Sequence, residues 1–290
     1  MTQYFFKMNG KYFDKGLPID IVANSLSGLQ NVFDGSYKAI TGKAKISKKD
    51  RTNFRLIATE FKHSSFTSKF DLITAGVQMA IPFVGSLSIN ELWNHTKNAF
   101  DFLKRLYTVV HKSKPTNQET GDQYNNKIMN NSDGTVTINN GGKHTTYNAS
   151  VVNIGKLIIN GVRDLDDLLD KDKIERIEIG ETATSSKIAF HSSEKGLFKA
   201  PVLFNEDSQI LDGEIYDFNK YEKEGRIKIF QNQSIDQDTY KFKVIGGQDV
   251  HTYILSMTET KVKVLCLIEY LYDPLVESKI NRLLVTEVMT

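Results

Sequence analysis

The chain has 290 residues, of which 40% are hydrophobic and 25% are charged, so it has the length of two modest domains and the composition of a soluble globular protein. Its single cysteine, Cys266, excludes an intramolecular disulfide and any zinc site built on several thiolates, and indicates a reducing compartment. The net charge of +2 conceals an asymmetry, because residues 1–145 carry a net charge of +8 and residues 146–290 a net charge of −6. No signal-peptide pattern opens the sequence, and we therefore expect a cytoplasmic protein.

The first elements are predicted to be a strand and a helix. Residues 3–8 are rich in aromatic side chains and end at the turn signal Asn9-Gly10. Pro18 then opens a pattern in which apolar residues recur with the helical period as far as about Ile40. Gly42 follows as a natural end for this helix.

A basic stretch extends from Lys38 to Lys69. It contains nine Lys or Arg residues against Asp50 and Glu60, and phenylalanines are interleaved with them. Because basic side chains neutralise phosphates and aromatic rings stack on bases, this stretch is a candidate nucleic-acid surface. The same residues contain two alternating runs joined near His63-Ser64, which predict a β-hairpin, and the two interpretations are compatible. The nucleic-acid-binding candidates are Lys43, Lys45, Lys48, Lys49, Arg51 and Arg55.

Residues 75–87 are apolar but contain Pro82 and two glycines. They fall far short of the ~20 apolar residues that cross a bilayer, so no stable membrane insertion is expected. A buried connection is the favoured interpretation, and an interfacial or pore-lining segment is the alternative.

A long amphipathic helix is predicted from Ile89 to Val110. Its apolar residues recur in steps of four and three, and Ser88 with Glu91 forms a capping-box pattern at its start. Packing inside its own domain is the expected use of this stripe, and self-association through the same face is the alternative. The interaction candidates on the stripe are Trp93, Phe100, Leu103 and Tyr107.

The middle of the chain is more polar. Residues 114–133 are predicted to be a linker or loop, and two short runs around Gly141-Gly142 predict a hairpin that needs support from elsewhere in the chain or from another copy. Ser150 is a candidate cap for a second helix, and residues 173–179 alternate as a strand. The helix ends in an acidic run without calcium-loop spacing, which favours a solvated helix face. Its carboxylates are Asp164, Asp166, Asp167, Asp170 and Asp172.

After Thr182 the pattern becomes that of a β protein. Seven short segments have strand character, beginning with KIAFHSS and including HTYILSM at residues 251–257. The last six are predicted to form an OB-like or other small barrel, although such a fold does not by itself identify a ligand.

No catalytic or cofactor motif is present, and no cofactor is expected. The sequence lacks a phosphate-binding glycine loop, a nucleophile elbow and paired histidine spacing. A thiol inside an apolar strand has a raised pKa, which argues against Cys266 as a nucleophile. A metal-dependent nuclease that uses Asp212, Glu214 and Lys220 is the remaining enzymatic alternative, since the two carboxylates share one face of a regular strand.

Two segments carry a resemblance to a known group of proteins. Residues 4–43, YFFKMNGKYFDKGLPIDIVANSLSGLQNVFDGSYKAITGK, with the Leu17-Pro18 step and the Leu29-Gln30 pair, resemble the start of an uncharacterised group of bacterial proteins. Residues 213–230, GEIYDFNKYEKEGRIKIF, are similar to the β module of that group. The resemblance implies an N-terminal strand-helix unit and a link to mobile-element or phage-defence genes, and it supplies no catalytic residues.

We therefore predict an α+β fold with an N-terminal strand-helix-hairpin unit, the long amphipathic helix and a mainly β C-terminal module. The expected divisions are an N-terminal domain at 1–113, a linker at 114–133, a connecting region at 134–200 and a β-rich domain at 201–290. The leading functional hypothesis is a non-enzymatic interaction protein that binds a protein partner or associates with itself, as one component of a bacterial complex. The alternative is a nucleic-acid-binding protein that uses residues 38–69.

Overall fold

A computed structural model describes residues 3–14, 16, 18–62, 66–74, 88–112, 126–182, 187–205, 207–276 and 279–289. The chain divides into two compact units, Met1–Lys199 (unit 1) and Ala200–Thr290 (unit 2). The fold is α+β, as predicted.

The α-helices of the described residues are α1 (Ile19–Thr41), α2 (Lys48–Asn53), α3 (Ile89–Lys112), α4 (Ala149–Asp167) and α5 (Val250–Ser256). The strands are β1 (Gln3–Asn9), β2 (Phe54–Lys62), β3 (Phe66–Thr74), β4 (Asn126–Asn130), β5 (Val136–Asn140), β6 (Lys143–Tyr147), β7 (Arg176–Glu181), β8 (Lys187–His191), β9 (Val202–Phe204), β10 (Gln209–Asn219), β11 (Glu224–Ile229), β12 (Thr239–Val244), β13 (Val262–Leu271) and β14 (Lys279–Met289).

Strand β1 is the centre of a five-stranded antiparallel sheet in unit 1, with the order β2-β3-β1-β7-β8. Buried and half-buried residues alternate along β1, so that Tyr4, Phe6 and Met8 face the core while Phe5 and Lys7 face the opposite side. The strand predicted at the N-terminus is thus confirmed, and so is the hairpin formed by β2 and β3.

Helices α1 and α3 pack against the inner face of this sheet. Phe33 of α1 contacts Phe70 of β3, with 5.9 Å between the ring centroids, and Phe100 of α3 contacts Phe190 of β8 at 4.9 Å. Helix α4 packs in turn against α1 and α3. The core of unit 1 therefore lies between one sheet face and these helices.

The start of α3 has the capping box that the sequence predicts. The Glu91 carboxylate accepts from the Ser88 N–H at 2.9 Å, and the Ser88 hydroxyl accepts from the Glu91 N–H at 3.2 Å. Residues 75–87, interpreted from the sequence as a buried connection, lie outside the described residues.

A separate three-stranded sheet, β4-β5-β6, packs on α3. The predicted hairpin at Gly141-Gly142 is confirmed, and its support comes from β4 and from α3, where Phe102 contacts Tyr147 at 5.0 Å between ring centroids. Residues 126–130 of the predicted linker are therefore a strand, while residues 113–125 lie outside the described part of the chain.

Helix α4 begins two residues earlier than the sequence indicated. Its N-cap is Asn148, whose side chain accepts from the Val151 N–H at 2.9 Å, and the prediction of Ser150 as the cap is wrong. Asparagine is as good an N-cap as serine, so composition alone does not separate the two positions.

Unit 2 is a closed five-stranded barrel, which confirms the small-barrel prediction. The strand order is β10-β11-β12-β14-β13, and β13 pairs back with β10. Helix α5 lies between β12 and β13 in the chain, and β12 and β14 are parallel. The barrel encloses an apolar core that includes Leu211, Phe242 and Cys266.

One segment of unit 2 was predicted wrongly. HTYILSM is not a strand but lies largely within α5. The Asp249 side chain accepts from the His251 N–H at 2.9 Å, and Tyr253 and Ser256, three positions apart, are the buried residues of the helix. A seven-residue segment is too short for its apolar residues to distinguish a helix from a strand, and the Asp249 cap decides between them.

Candidate nucleic-acid interface

The six basic candidates lie on one continuous segment of unit 1. Lys43 and Lys45 occupy the loop between α1 and α2, three more lie on α2, and Arg55 lies near the start of β2. Gly42 begins this loop in the left-handed conformation, with φ of 66°, and its N–H donates to the Lys38 carbonyl. Helix α1 therefore ends where the sequence predicted, and the chain turns into α2.

Lys43 forms an ion pair with a carboxylate at the start of α2. Asp50 is 7% exposed and accepts from the Ser47 N–H at 2.8 Å, the Ser47 hydroxyl at 2.7 Å and the Tyr37 hydroxyl at 3.3 Å. The Lys43 ammonium donates to the same carboxylate. The hydrogen bond from Lys43, together with those from Ser47, holds the pKa of Asp50 well below its usual range. Lys43 thus stabilises the fold and is a poor candidate for ligand binding.

Arg51 is also paired within the fold. Its Nη1 donates to Asp34 Oδ1 at 2.6 Å and its Nη2 donates to Asp34 Oδ2, which makes the pair bidentate. Gln30 Nε2 donates to the same Oδ1 at 2.7 Å. The hydrogen bond with Asp34 raises the pKa of Arg51. Arg51 therefore ties α2 to α1.

The other four candidates are exposed. Lys45, Lys48, Lys49 and Arg55 form no ion pair with any residue that the structure describes. Exposed cations of this kind contribute little to folding and are available to neutralise phosphates. We refer to these four residues as the basic surface.

The aromatic part of the sequence prediction fails. Phe54, Phe66 and Phe70 are buried in the core of unit 1, and only Phe61 is exposed, at 53%. Phe54, Phe66 and Phe70 lie on the inner face of the sheet, whereas Arg55, next to Phe54, lies on the outer face. Base stacking on these rings is therefore excluded for three of the four.

A polar groove of about 570 Å³ adjoins the basic surface, between α1, α4 and the loop that joins α1 to α2. We call it the α1–α4 groove. Its charged and amide lining residues are Asn31, Asp34, Lys38, Lys45, Arg51 and Asn160. Lys38 was not among the six candidates. The signal that would have found it is the spacing of Asn31, Asp34 and Lys38, which places all three on one face of a helix.

Glycines bring the two helices together beneath this groove. A Cβ atom at Gly161 would lie 2.7 Å from the Val32 nitrogen and 2.8 Å from the Gly28 oxygen, and one at Gly35 would lie 2.4 Å from the Leu157 oxygen. The two backbones are therefore in direct contact. Asn31 Nδ2 donates to Asp164 Oδ2 at 3.0 Å across the same contact.

The candidate interaction stripe of α3 is not on the surface. Trp93, Phe100, Leu103 and Tyr107 are all buried within unit 1. Trp93 contacts the Tyr4 ring at 5.5 Å between centroids, and the Tyr107 hydroxyl accepts from Arg163 Nη2 at 2.8 Å. The stripe thus builds the core, and it offers no exposed face for self-association.

A second groove, of about 470 Å³, lies on the barrel of unit 2. Three carboxylates and three cations line it, so its charges balance: Asp217, Glu222, Glu224, Arg226, Lys241 and Arg282. Unit 2 as a whole has 10 Lys or Arg against 15 Asp or Glu, a net charge of −5, whereas residues 1–199 carry a net charge of +7. The α1–α4 groove is therefore the better candidate for an anionic partner.

The nuclease candidates are not brought together as a metal site. Asp212 and Glu214 do lie on the outer face of β10, but Asp212 pairs with Lys261 at 2.9 Å, and Lys220 lies in the following turn with its ammonium over the Tyr221 ring. No group of three or more His, Cys, Asp or Glu side chains suited to a metal occurs in the described ranges.

Carboxylates of the acidic run at the end of α4 form hydrogen bonds and an ion pair within unit 1. Asp166 is 1% exposed, its Oδ2 accepts from the Gly196 N–H at 2.8 Å, and burial raises its pKa to about 6. Asp167 pairs with Lys199 at 2.8 Å, and Asp170 accepts from the Asp172 N–H at 2.9 Å. Asp166 is thus not on the solvated face that the sequence predicted.

Cys266 is buried in the barrel core, where burial raises its pKa to about 11. The thiol is therefore neutral and inert near neutral pH. This placement agrees with the sequence interpretation of a small apolar residue.

Comparison with protein-family models, curated proteins and solved structures gives no match to this chain. None of the helices in the described part is both long enough and apolar enough to cross a membrane.

Proposed function

We propose that this chain is a non-enzymatic binding protein whose partner is nucleic acid, held on the basic surface formed by Lys45, Lys48, Lys49 and Arg55. The observation that supports this best is the difference between these residues and their neighbours. Lys43 and Arg51 each have a carboxylate partner, whereas the four others are exposed and have no such partner among the residues that the structure describes. Unmatched cations on a unit with a net charge of +7 attract a polyanion.

The expected mode of binding is electrostatic. With three phenylalanines of this stretch buried, contacts to the phosphate backbone provide most of the affinity, and they carry little sequence information. Binding is therefore expected to be salt-sensitive and to discriminate weakly between sequences.

Filter binding of a labelled short single strand at low salt tests this function. The variant Lys45→Gln/Lys48→Gln/Lys49→Gln is expected to lose most of the affinity. A matched control, Lys11→Gln/Lys171→Gln/Lys195→Gln, removes the same charge from exposed lysines elsewhere in unit 1 and is expected to retain it. Absence of binding by the unaltered chain at low salt, or equal losses in both variants, would reject the proposal.

The non-enzymatic part of the proposal has its own test. Incubation of labelled DNA or RNA with the chain and magnesium is expected to leave the strand intact. Magnesium-dependent cleavage that disappears in Asp212→Asn/Glu214→Gln would favour the nuclease alternative instead.

A protein partner is the second candidate function, and one feature of unit 2 favours it. Strand β9 pairs only with β13, and its other edge has no partner strand among those described. Val202 and Phe204 of β9 and Ile210 of β10 are exposed apolar residues, with Phe204 at 56% and Ile210 at 61%. An open strand edge with exposed apolar side chains is a site where another strand adds.

Light scattering over a concentration series tests this candidate as self-association through the β9 edge. The chain is expected to dimerise, and Phe204→Asp is expected to prevent this while Leu255→Asp, an exposed residue of α5, does not. A monomer at every concentration would contradict self-association through this edge.

The link to phage-defence or mobile-element complexes stays a prediction from the resemblance.

A further inference from the structure

The α1–α4 groove has an excess of positive charge that is not neutralised by ion pairs with the described residues. Asp34 and Arg51 neutralise each other through their bidentate pair. The remaining charged lining residues are Lys38 and Lys45, and neither forms an ion pair with a described residue. The groove therefore has a local net charge of about +2, counted from side chains that are charged at neutral pH.

Backbone and amide donors add to these two cations. Ala44, Lys45 and Ile46 line the groove, and their N–H groups donate to no acceptor in the part of the chain that the structure describes. Asn160 places a carboxamide on the opposite wall. At the end of α1, the Lys38 carbonyl is already occupied by the N–H groups of Gly42 and Lys43, which reduces the negative potential of this helix end.

We infer that the α1–α4 groove binds a phosphate monoester, either the terminal phosphate of a nucleic-acid strand or that of a free nucleotide. A monoester carries about −1.5 to −2 charges near neutral pH and offers three strong acceptor oxygens, whereas an internal diester carries a single charge. Lys38 and Lys45, which have no ion pair with a described residue, complement the charge of the monoester, and the amide donors complement its three acceptor oxygens. Binding of a strand's terminal phosphate rests on the nucleic-acid function proposed above. Binding of a free nucleotide does not rest on it.

Fluorescence anisotropy with one short single strand, prepared with a 5′-phosphate or with a 5′-hydroxyl, tests this inference. The phosphorylated strand is expected to bind on the order of tenfold more tightly, as expected for one additional charge-assisted contact. Lys38→Gln is expected to abolish this preference, so that the phosphorylated strand binds no more tightly than the hydroxyl strand. Lys143→Gln, which removes an equal charge from the exposed first residue of β6, is expected to leave the preference unchanged.

Adenosine monophosphate and inorganic phosphate, added to the full chain in a thermal-unfolding assay, separate the two sources. Stabilisation that depends on Lys38 supports the inference with a free nucleotide as ligand, even if neither strand binds and the nucleic-acid function fails. A phosphate preference that is limited to the strand and lost in Lys38→Gln supports it with a strand end as ligand, whereas a preference that survives this substitution overturns it. Equal affinity for the two strands, together with no Lys38-dependent stabilisation by the small phosphates, overturns the inference and leaves the proposed function standing if the strands bind.

Discussion

At Gly161 the backbone of α4 contacts the backbone of α1, so there is no space for a side chain at this position. The substitution Gly161→Ala would place a methyl group 2.7 Å from the Val32 nitrogen and 2.8 Å from the Gly28 oxygen. Since neither backbone atom can move independently, the helices must separate, and we expect a loss of about 1 to 3 kcal/mol in the free energy of unfolding.

Urea denaturation measures this loss. Gly247→Ala is the matched control, because a Cβ atom at Gly247 meets nothing within 4 Å. It is expected to change the unfolding free energy by less than about 0.5 kcal/mol. Equal stabilities for the two variants would show that α1 and α4 are not in backbone contact.

Asp166 is expected to make stability depend on pH. Burial raises its pKa from 3.8 to about 6, so its carboxyl is more easily protonated in the folded chain than in the unfolded chain. The stabilising contribution of the protonated form is therefore complete below pH of about 3.8 and is lost as the pH rises through about 6. This loss is expected to be roughly 1 to 3 kcal/mol.

The substitution Asp166→Asn retains an acceptor for the Gly196 N–H and does not titrate. Unfolding free energies of the two proteins, measured at several pH values on either side of about 6, are expected to diverge as the pH rises, with the unaltered chain losing more. Parallel pH profiles would contradict the burial of an ionising carboxylate at this position.

At the scale of the helix, α3 depends on the capping box at its start. Ser88→Ala removes the acceptor of the Glu91 N–H and is expected to lower the unfolding free energy by about 1 kcal/mol. Ser88→Asp restores an acceptor at the same position and is expected to regain most of that stability. Thermal unfolding of both variants distinguishes a cap from a merely polar surface residue, since a surface serine would tolerate both changes equally.

The sequence predicted the long elements because their apolar periods are unambiguous. Helix α3 has a stripe that extends over six turns, and β1 alternates along its whole length. Short elements depend on a single cap or on tertiary support. The six-residue α2 exists because Ser47 and Asp50 form a capping box, and α5 is distinguished from a strand by Asp249.

The site was only partly predictable for the same physical reason. Sequence counting identified the basic stretch but could not show which cations have partners, because Asp34 lies 17 positions before Arg51 and joins it only in the folded chain. The α1–α4 groove depends on a contact between helices that are far apart in the sequence. No local pattern indicates that Gly161 approaches Gly28.

At the scale of the whole molecule, unit 2 has its own closed barrel and its own apolar core. We therefore expect residues 200–290, expressed alone, to fold cooperatively. Near-ultraviolet circular dichroism and thermal unfolding check this, and a single sharp transition is the expected result. A chain without fixed tertiary signals would contradict the independence of the barrel.

The opposite net charges of the two units indicate which unit an anionic partner binds. Residues 1–199 carry a net charge of +7 and residues 200–290 a net charge of −5. A polyanion is therefore expected to bind unit 1 and to be repelled by unit 2. The charge difference favours unit 1 as the binding unit, and within it the exposed cations without an ion pair to a described residue are Lys45, Lys48, Lys49 and Arg55.

The salt dependence of binding to a single-stranded oligonucleotide tests this location most directly. Each phosphate contact contributes about 0.7 to the slope of log affinity against log salt, so Lys45→Gln/Lys48→Gln/Lys49→Gln is expected to reduce that slope by about 2. The control Lys11→Gln/Lys171→Gln/Lys195→Gln is expected to leave the slope unchanged. A slope near zero for the unaltered chain, or the same reduction in both variants, would contradict nucleic-acid binding at the basic surface.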